Sequence, residues 1–301
     1  MTDLLVIGDV NPDVVVSGVP ADLAFGQAER LVDGIDLLVG GSASITAHGA
    51  ARLAADVSLV GVVGADPLGG WLCEQLSSAG VDVSRVRVDD AAPTGASVVL
   101  DRGGDRAILT RLGAIGSLSA GDLEDLPDLP ARHVHVASYF LLPPAAREAL
   151  PSQLARWRTA GATCSVDTNY DPAGRWDVGG LLTSVDLCLP NETEAAALDW
   201  TGYAGERVTK RGAAGADWEG GGDRVRVAAP TADDYVDSTG AGDSFDAAYL
   251  VARLEGRTPA EALTWAVAAG TLSTRGRGGT AGQPTRAELV ELAARLEPRA
   301  G

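Results

Sequence analysis

The chain has 301 residues, long enough to bury a sizeable core, and its 46% hydrophobic and 22% charged content is that of a globular α/β chain built as one main domain. Against 24 Lys and Arg stand 41 Asp and Glu, a net charge of −17 with no basic run, which argues against nucleic acid and anionic membrane surfaces as partners. Cys73, Cys164 and Cys188 lack metal-ligand spacing and read as reduced thiols, the start MTDLLVIGDV has no basic leader, and no stretch reaches the roughly 20 apolar residues of a membrane span, so a cytoplasmic protein is expected.

In chain order, the apolar run 4–7 ends in Gly8-Asp9 and suits a buried parallel strand. Asn11 and Asp13 lie just beyond its C-terminal end, where ligands bind in open α/β sheets, although Asn and Asp around Pro12 also suit a capped turn. Residues 14–16 continue as a strand, 21–31 are irregular, and 37–39 lead through Gly40-Gly41 into a helix over 43–55. Such a strand–glycine–helix junction lets the backbone approach a ligand. A strand over 58–63 and a helix over 68–78 follow. Residues 81–88, 97–101 and 107–110 then read as short strands without intervening helices, with a hairpin turn at Gly103-Gly104-Asp105. With 14–17 they are predicted to form a small sheet standing off the main one, with Thr110 and Arg111 facing either a ligand or solvent.

His133 and His135 share one face of a strand over 133–137, but a third metal ligand is lacking nearby. A helix over 145–160 precedes a strand over 163–167 that ends at Asp167 and Asn169. Asn191 and Glu194 are three apart at the start of a helix over 191–198, either a cap or two side chains on one face. A strand over 206–210 enters Arg211-Gly212-Ala213-Ala214-Gly215, which matches neither the P-loop nor the dinucleotide pattern. Lys210 at its start is the only lysine in the chain. A hairpin over 216–227, a helix over 259–273 and a terminal helix over 285–296 complete the prediction.

The organising stretch is Asp237 to Asp246, DSTGAGDSFD. Gly240, Ala241 and Gly242 are small enough to bring successive N–H groups to a ligand at a helix start, and Asp243 sits in that helix's first turn. A carboxylate beside an anion cradle can take a proton from a hydroxyl attacking a phosphoryl group. The plainer reading is a Gly-rich loop with a helix-start carboxylate.

DSTGAGDSF resembles the second signature of the ribokinase-like (PfkB) carbohydrate kinases, D-T-x-G-A-G-D-x-F. Gly8 to Asp13, Gly40-Gly41-Ser42-Ala43, Asn191-Glu192-Thr193-Glu194 and Lys210 to Gly215 resemble further motifs of that family, in the family's order over nearly the whole chain. The resemblance implies one domain over 1–301: a three-layer α/β/α fold with a mainly parallel central sheet and a small β-sheet lid from about 11–36 and 90–112. It implies ATP-dependent phosphorylation of a sugar or polyol hydroxyl, with Asp243 as general base and Gly240, Ala241 and Gly242 as anion hole. Asn11, Asp13, Gly40, Gly41 and Thr110 would meet the sugar with Asp243, and Asn191, Lys210, Arg211, Gly212, Gly215, Gly240 and Gly242 the nucleotide. Asn191 and Glu194 would hold magnesium through water. The loop 275–280 would close over the adenine, its carbonyls sharing a monovalent cation such as potassium with Asp237 and Thr239. The lid would serve as a homodimer interface.

Three departures stand out. Ile45 replaces an Asn that commonly bonds a sugar hydroxyl. Tyr170-Asp171 stand where the family often has an Arg that matches a phosphate, which argues against a phosphorylated acceptor. The segment between Glu194 and Val208 is shortened by about one ordinary helix. Ile45 and the apolar lid strands also suit a nucleoside acceptor, and with the shortened segment they leave a non-catalytic sugar or nucleotide sensor open.

Overall fold

The computed structural model describes residues 2–22, 26–102, 106–232 and 234–300. The first half runs β1 Leu4–Ile7, β2 Asn11–Ser17, β3 Gly34–Gly40, α1 Ser42–Arg52, β4 Val57–Gly64, α2 Pro67–Ser78, β5 Val81–Asp82, β6 Val86–Asp89, β7 Ala96–Asp101 and β8 Arg106–Arg111. Then come α3 Ala120–Glu124, β9 His133–Val136, α4 Pro144–Thr159, β10 Thr163–Val166, β11 Leu187–Cys188, α5 Glu192–Ala197, β12 Glu206–Lys210, β13 Ala216–Gly220 and β14 Asp223–Val227. The chain closes with α6 Ala241–Leu254, α7 Pro259–Ser273, α8 Gly278–Ala281, α9 Arg286–Ala293 and β15 Arg299–Ala300.

The central sheet has the order β15-β14-β13-β12-β11-β10-β9-β1-β4-β5, with β6 also paired to β4. From β12 to β5 and β6 every pairing is parallel; β12 to β15 form an antiparallel edge. Successive side chains of a strand point to opposite faces, so Leu4 and Val6 of β1 join a core with α1, α2, α6, α7 and α9. Leu5 and Ile7 join a second core with α3 and α4. This is the expected three-layer α/β/α sandwich. No helix among the described residues is long and apolar enough to cross a membrane.

A separate four-stranded sheet has the order β3-β2-β7-β8. Its cross-strand rows give it two unlike faces. Leu38, Asp13, Ser97 and Thr110 lie in one row, and Leu37, Val14, Val98 and Leu109 lie in the next. Asn11, Asp13 and Ser97 are buried on the first face, whereas Leu37 and Leu109 are exposed on the second.

Two expectations are corrected. Residues 81–88 do not join the small sheet: β5 and β6 pair in parallel with β4, because α2 supplies an ordinary crossover and carries the chain back to the central sheet. The small sheet also extends past residue 36, since Asn11 pairs with Gly40 at the end of the β2–β3 ladder away from the connecting loop. The predicted turn Gly103-Gly104-Asp105 lies outside the described residues. After Glu194 the short α5 is followed by a turn over 198–205 closed by aromatic packing: Trp200 donates to the Ala195 carbonyl at 2.8 Å, and its ring lies 5.4 Å from that of Tyr203. That turn brings β12 alongside β11 without a longer helix.

Candidate active site

The C-terminal ends of β1, β10 and β12 and the start of α6 bring together a charged floor. Lys210, at the end of β12, places its ammonium 2.5 Å from Asp167 Oδ2 and 3.0 Å from Asp246 Oδ2. Burial works against the charged ammonium, but Asp167, Asp246 and Glu194 overcome it and hold its pKa above the ordinary lysine value. Glu194 and Asp243 remain on the same floor without a cation of their own. Burial, reinforced by Asp167 and opposed by Lys210, raises each of them to about 7. Asp9 adds its charge to that felt by Asp243. The only lysine therefore neutralises a buried carboxylate cluster at the start of the turn that the resemblance gives to the nucleotide. It still stands close to the anion turn: a Cβ added at Gly242 would lie 3.6 Å from its Nζ.

Asp243 lies in the first turn of α6, 8% exposed, so a ligand reaches it only through the cleft. Gly240 precedes the helix with φ of 71°, a conformation that favours glycine, and a Cβ there would lie 2.5 Å from Gly279 Cα. The helix has no side-chain cap. Among the described residues, the N–H groups of Gly240, Gly242 and Asp243 have no partner, while that of Ala241 donates to the Ser238 carbonyl at 3.2 Å. The expected donor set thus shifts by one: Ala241 holds the turn together, and Asp243 offers its own backbone N–H.

The polar face of the small sheet closes over this floor. Asn11 Nδ2 donates to Asp13 Oδ1 at 3.3 Å and to Ser97 Oγ at 3.4 Å, and Ser97 exchanges a 3.0 Å bond with Thr110. Burial and the neighbouring Asp9 raise Asp13 to about 7. Gly40 and Gly41 serve these side chains: a Cβ on Gly40 would meet Asp13 Oδ1 at 2.1 Å, and one on Gly41 would meet Asn11 Oδ1 at 2.9 Å. The first N–H groups of α1 are already occupied, because Asp9 accepts from Ser42 at 3.2 Å and Ala43 at 3.0 Å. Asn169, at φ 54°, accepts from the Ser138 N–H and donates to Ser42 Oγ, tying β9 and β10 to α1.

Ile45 is 3% exposed and packs under Gly279, where an added Cβ would lie 2.2 Å from its Cδ1. One turn further on, Gln283 donates to the Ile45 carbonyl at 3.0 Å and to Ser244 Oγ at 3.1 Å, pinning α1, α6 and the chain after α8 together.

On the side that the resemblance gives to the nucleotide, Arg211 pairs with Asp217 at 3.1 Å and Glu192 at 3.7 Å. Gly212 and Gly215 have φ of 52° and 95°, and a Cβ on Gly215 would strike the Val227 carbonyl at 2.0 Å, so the turn itself requires that glycine. Asn191 and Glu194 form a reciprocal cap: Glu194 accepts from the Asn191 N–H at 2.8 Å and from Nδ2 at 2.6 Å, while Asn191 Oδ1 accepts from the Glu194 N–H at 3.0 Å. With Glu194 buried behind Asn191 and its negative charge only partly balanced, the pair suits an outer, water-mediated hold on a divalent cation. Asp237 accepts from Thr239 through backbone and hydroxyl and from the Gly278 N–H at 2.8 Å. Arg106, from β8, donates to Thr239 Oγ1 at 2.8 Å. Arg277 answers from the opposite side, donating to Ser17 at 3.1 Å and Asp36 at 3.2 Å. His133 and His135 both bond Ser165 and are kept neutral by burial.

Sequence reading missed Asp9 as a cap, Asp246 as a partner of Lys210 and Arg106 as a bridge. Asp246 had a signal, lying three residues and so about one helical turn after Asp243; Arg106 had none, because its partner is more than a hundred residues away.

Residues 1–286 match the pfkB family of carbohydrate kinases. A Halopiger xanaduensis protein named ATP-dependent ribose-1-phosphate kinase is 32% identical over 297 residues, covering 95% of this chain and 96% of its own length. The ribokinase of Arabidopsis thaliana is 29% identical over 318 residues, 96% of this chain and 80% of the relative. Its structure complexed with ribose and ATP superposes with a TM-score of 0.82, covering 97% and 98% of the two chains at 26% identity. An apo structure of a putative ribokinase II from E. coli gives 0.85 at 23% identity, covering 98% of this chain and 100% of its own, a likeness of fold. With its two sheets, its glycine turn and a family match that reaches from the first strand into the last helix, this chain belongs to the pfkB family of carbohydrate kinases.

Proposed function

We propose that the chain transfers the γ-phosphoryl group of ATP to a hydroxyl of a small sugar held between the polar face of the small sheet and the charged floor. The observation that carries this reading is Asp243: a buried carboxylate in the first turn of a helix whose adjoining N–H groups are open. The acceptor hydroxyl gives its proton to an Asp243 oxygen as its own oxygen bonds to phosphorus, and the bond from phosphorus to the leaving ADP oxygen breaks. The N–H groups of Gly240, Gly242 and Asp243 hold the equatorial oxygens in transit. Because Asp243 must be ionised to act, and is raised to about 7, turnover is expected to rise with pH through neutrality. Asn191 and Glu194 would hold magnesium through water, and the ion would neutralise charge on the nucleotide phosphates. Gly212 and Gly215 shape the turn nearest those phosphates, with Lys210 and Arg211 fixing it from below through their ion pairs. Closure of the small sheet as a lid excludes water that would otherwise accept the phosphoryl group.

Asn11, Asp13, Ser97 and Thr110 offer linked donors and acceptors to a polyhydroxylated ligand, which favours a sugar over a nucleobase. Ile45 lies buried beneath Gly279, which weakens the part of the nucleoside reading that rests on it. A sugar 1-phosphate is a second reading, favoured by the relative named ribose-1-phosphate kinase at 32% identity; the absence of an Arg at Tyr170-Asp171 weighs against it only if the phosphate sits there. The apolar row of Leu37, Val14, Val98 and Leu109 on the lid's outer face, exposed at Leu37 and Leu109, suits a homodimer, which sedimentation would detect.

The test is ADP release from magnesium-ATP with ribose, fructose, ribose 1-phosphate, polyols and nucleosides, with Asp243→Asn as control. A sugar-dependent signal lost in the variant supports the reading. ATP binding with silence across all acceptors would instead support a sensor.

A further inference from the structure

The turn that leads into α6 carries its own cation. Asp237 Oδ1 accepts from the Thr239 N–H at 2.9 Å and from the Thr239 hydroxyl at 2.8 Å, while Oδ2 accepts from Gly278 at 2.8 Å. Across the cleft, Arg106 Nη1 lies 2.8 Å from Thr239 Oγ1, 3.4 Å from Ser238 Oγ and 3.6 Å from Asp237 Oδ1. The guanidinium therefore touches the two residues, Asp237 and Thr239, that the family resemblance assigns to an alkali cation. A second cation at this carboxylate would sit within about 4 Å of the first, where two like charges repel. The donor set does not fit potassium in addition to Arg106.

The charge matters because of where the turn leads. Ser238 O holds the Ala241 N–H, and the open N–H groups of Gly240, Gly242 and Asp243 follow at once. An unbalanced Asp237 would set negative charge beside the place that receives phosphates. Arg106 also belongs to the small sheet, so its contact forms only when that sheet lies over the floor.

We propose that Arg106 is the built-in counter-charge of the Asp237–Thr239 turn, a positioning residue that frees nucleotide binding and phosphoryl transfer by this chain from any requirement for a monovalent cation. The inference rests on the kinase reading above but not on the identity of the acceptor, so its test needs no sugar. Calorimetry would measure binding of the magnesium complex of a non-hydrolysable ATP analogue in choline chloride and in potassium chloride at equal ionic strength. Wild type is expected to bind equally in the two salts. Arg106→Ala is expected to bind about tenfold or more weakly in choline, the loss of a charge-assisted hydrogen bond, and to recover most of that affinity in potassium. Arg106→Lys, which keeps the charge, should stay nearer wild type than Arg106→Ala and respond less to potassium. Thermal melts in the two salts would exclude unfolding, and Arg106→Gln would replace the alanine variant if that one fails to fold. Wild-type binding that strengthens several-fold in potassium would overturn the proposal. So would an Arg106→Ala variant that binds like wild type, or one whose loss potassium does not restore, since Arg106 would then act by contact rather than charge. A wild type that binds no nucleotide in either salt would overturn the kinase reading, and this proposal with it.

Discussion

The two strand–glycine–helix junctions, at Gly40-Gly41 and at Gly240, read alike in the sequence and serve opposite ends in the fold. At α1 the first N–H groups are filled by the chain's own carboxylate, Asp9, and the glycines make room for Asp13 and Asn11 to face the cleft. At α6 no side chain caps the helix, and the glycine turn is pressed against Gly279 while its N–H groups stay open. A helix start is thus an anion site only where nothing inside the protein has already satisfied it. The first junction positions side chains; the second presents backbone.

Perturbing each junction should expose this difference. The largest effect is expected at the open one: Asp243→Asn should lower kcat by about 10²–10⁴-fold, the scale of general-base catalysis, with nucleotide affinity unchanged by calorimetry. Turnover within threefold of wild type would remove Asp243 from the role. Next comes the floor the second junction stands on. Lys210→Ala leaves Asp167 and Asp246 facing each other in the interior and should cost about 3–5 kcal/mol of stability by urea unfolding. Breaking the first junction should be milder and of a different kind. Asp9→Ala strands the Ser42 and Ala43 N–H groups and should cost about 1–3 kcal/mol, with nucleotide affinity preserved; a loss of nucleotide affinity without loss of stability would show that the two junctions are not separate in function.

The smallest effect concerns pH. Asp13, Glu194 and Asp243 hold protons up to about 7 in the folded chain, against ordinary values of 3.8, 4.5 and 3.8. Near neutrality the folded state therefore binds more protons than the unfolded one, and stability falls as pH rises through that value. The histidines, lowered from 6.5, act in the opposite sense, mainly below that pH, and above it the three carboxyl groups outweigh them. The ligand-free protein should melt at a lower temperature at pH 8 than at pH 6.5, and a melting temperature that rises over this interval would contradict the charge balance described for the floor.

Much of the architecture was legible in the residues. Apolar runs such as 4–7 and 58–63, the helix over 259–273 and the glycine turn before Asp243 are local signals, because strand burial, helix propensity and positive φ are decided within a few residues. The short strands 81–82 and 86–89 were misassigned because two to four residues carry no periodicity that tells one sheet from another; only the α2 crossover decides.

What the sequence determined by itself was the fold class, the order of the elements and the identity of the residues at the strand ends. Which of those residues are open to a ligand was decided by tertiary structure alone. Lys210 reads as part of a nucleotide loop, and packing adds its ion pairs with Asp167 and Asp246; Ile45 reads as the replacement of a polar contact, and packing buries it under Gly279; Ala241 reads as an anion donor, and Ser238 takes its N–H. The physical reason is the same each time: a polar or apolar group at a binding surface is available only if no partner distant in the chain has satisfied it first, and such partners come together only when the sheets and helices pack.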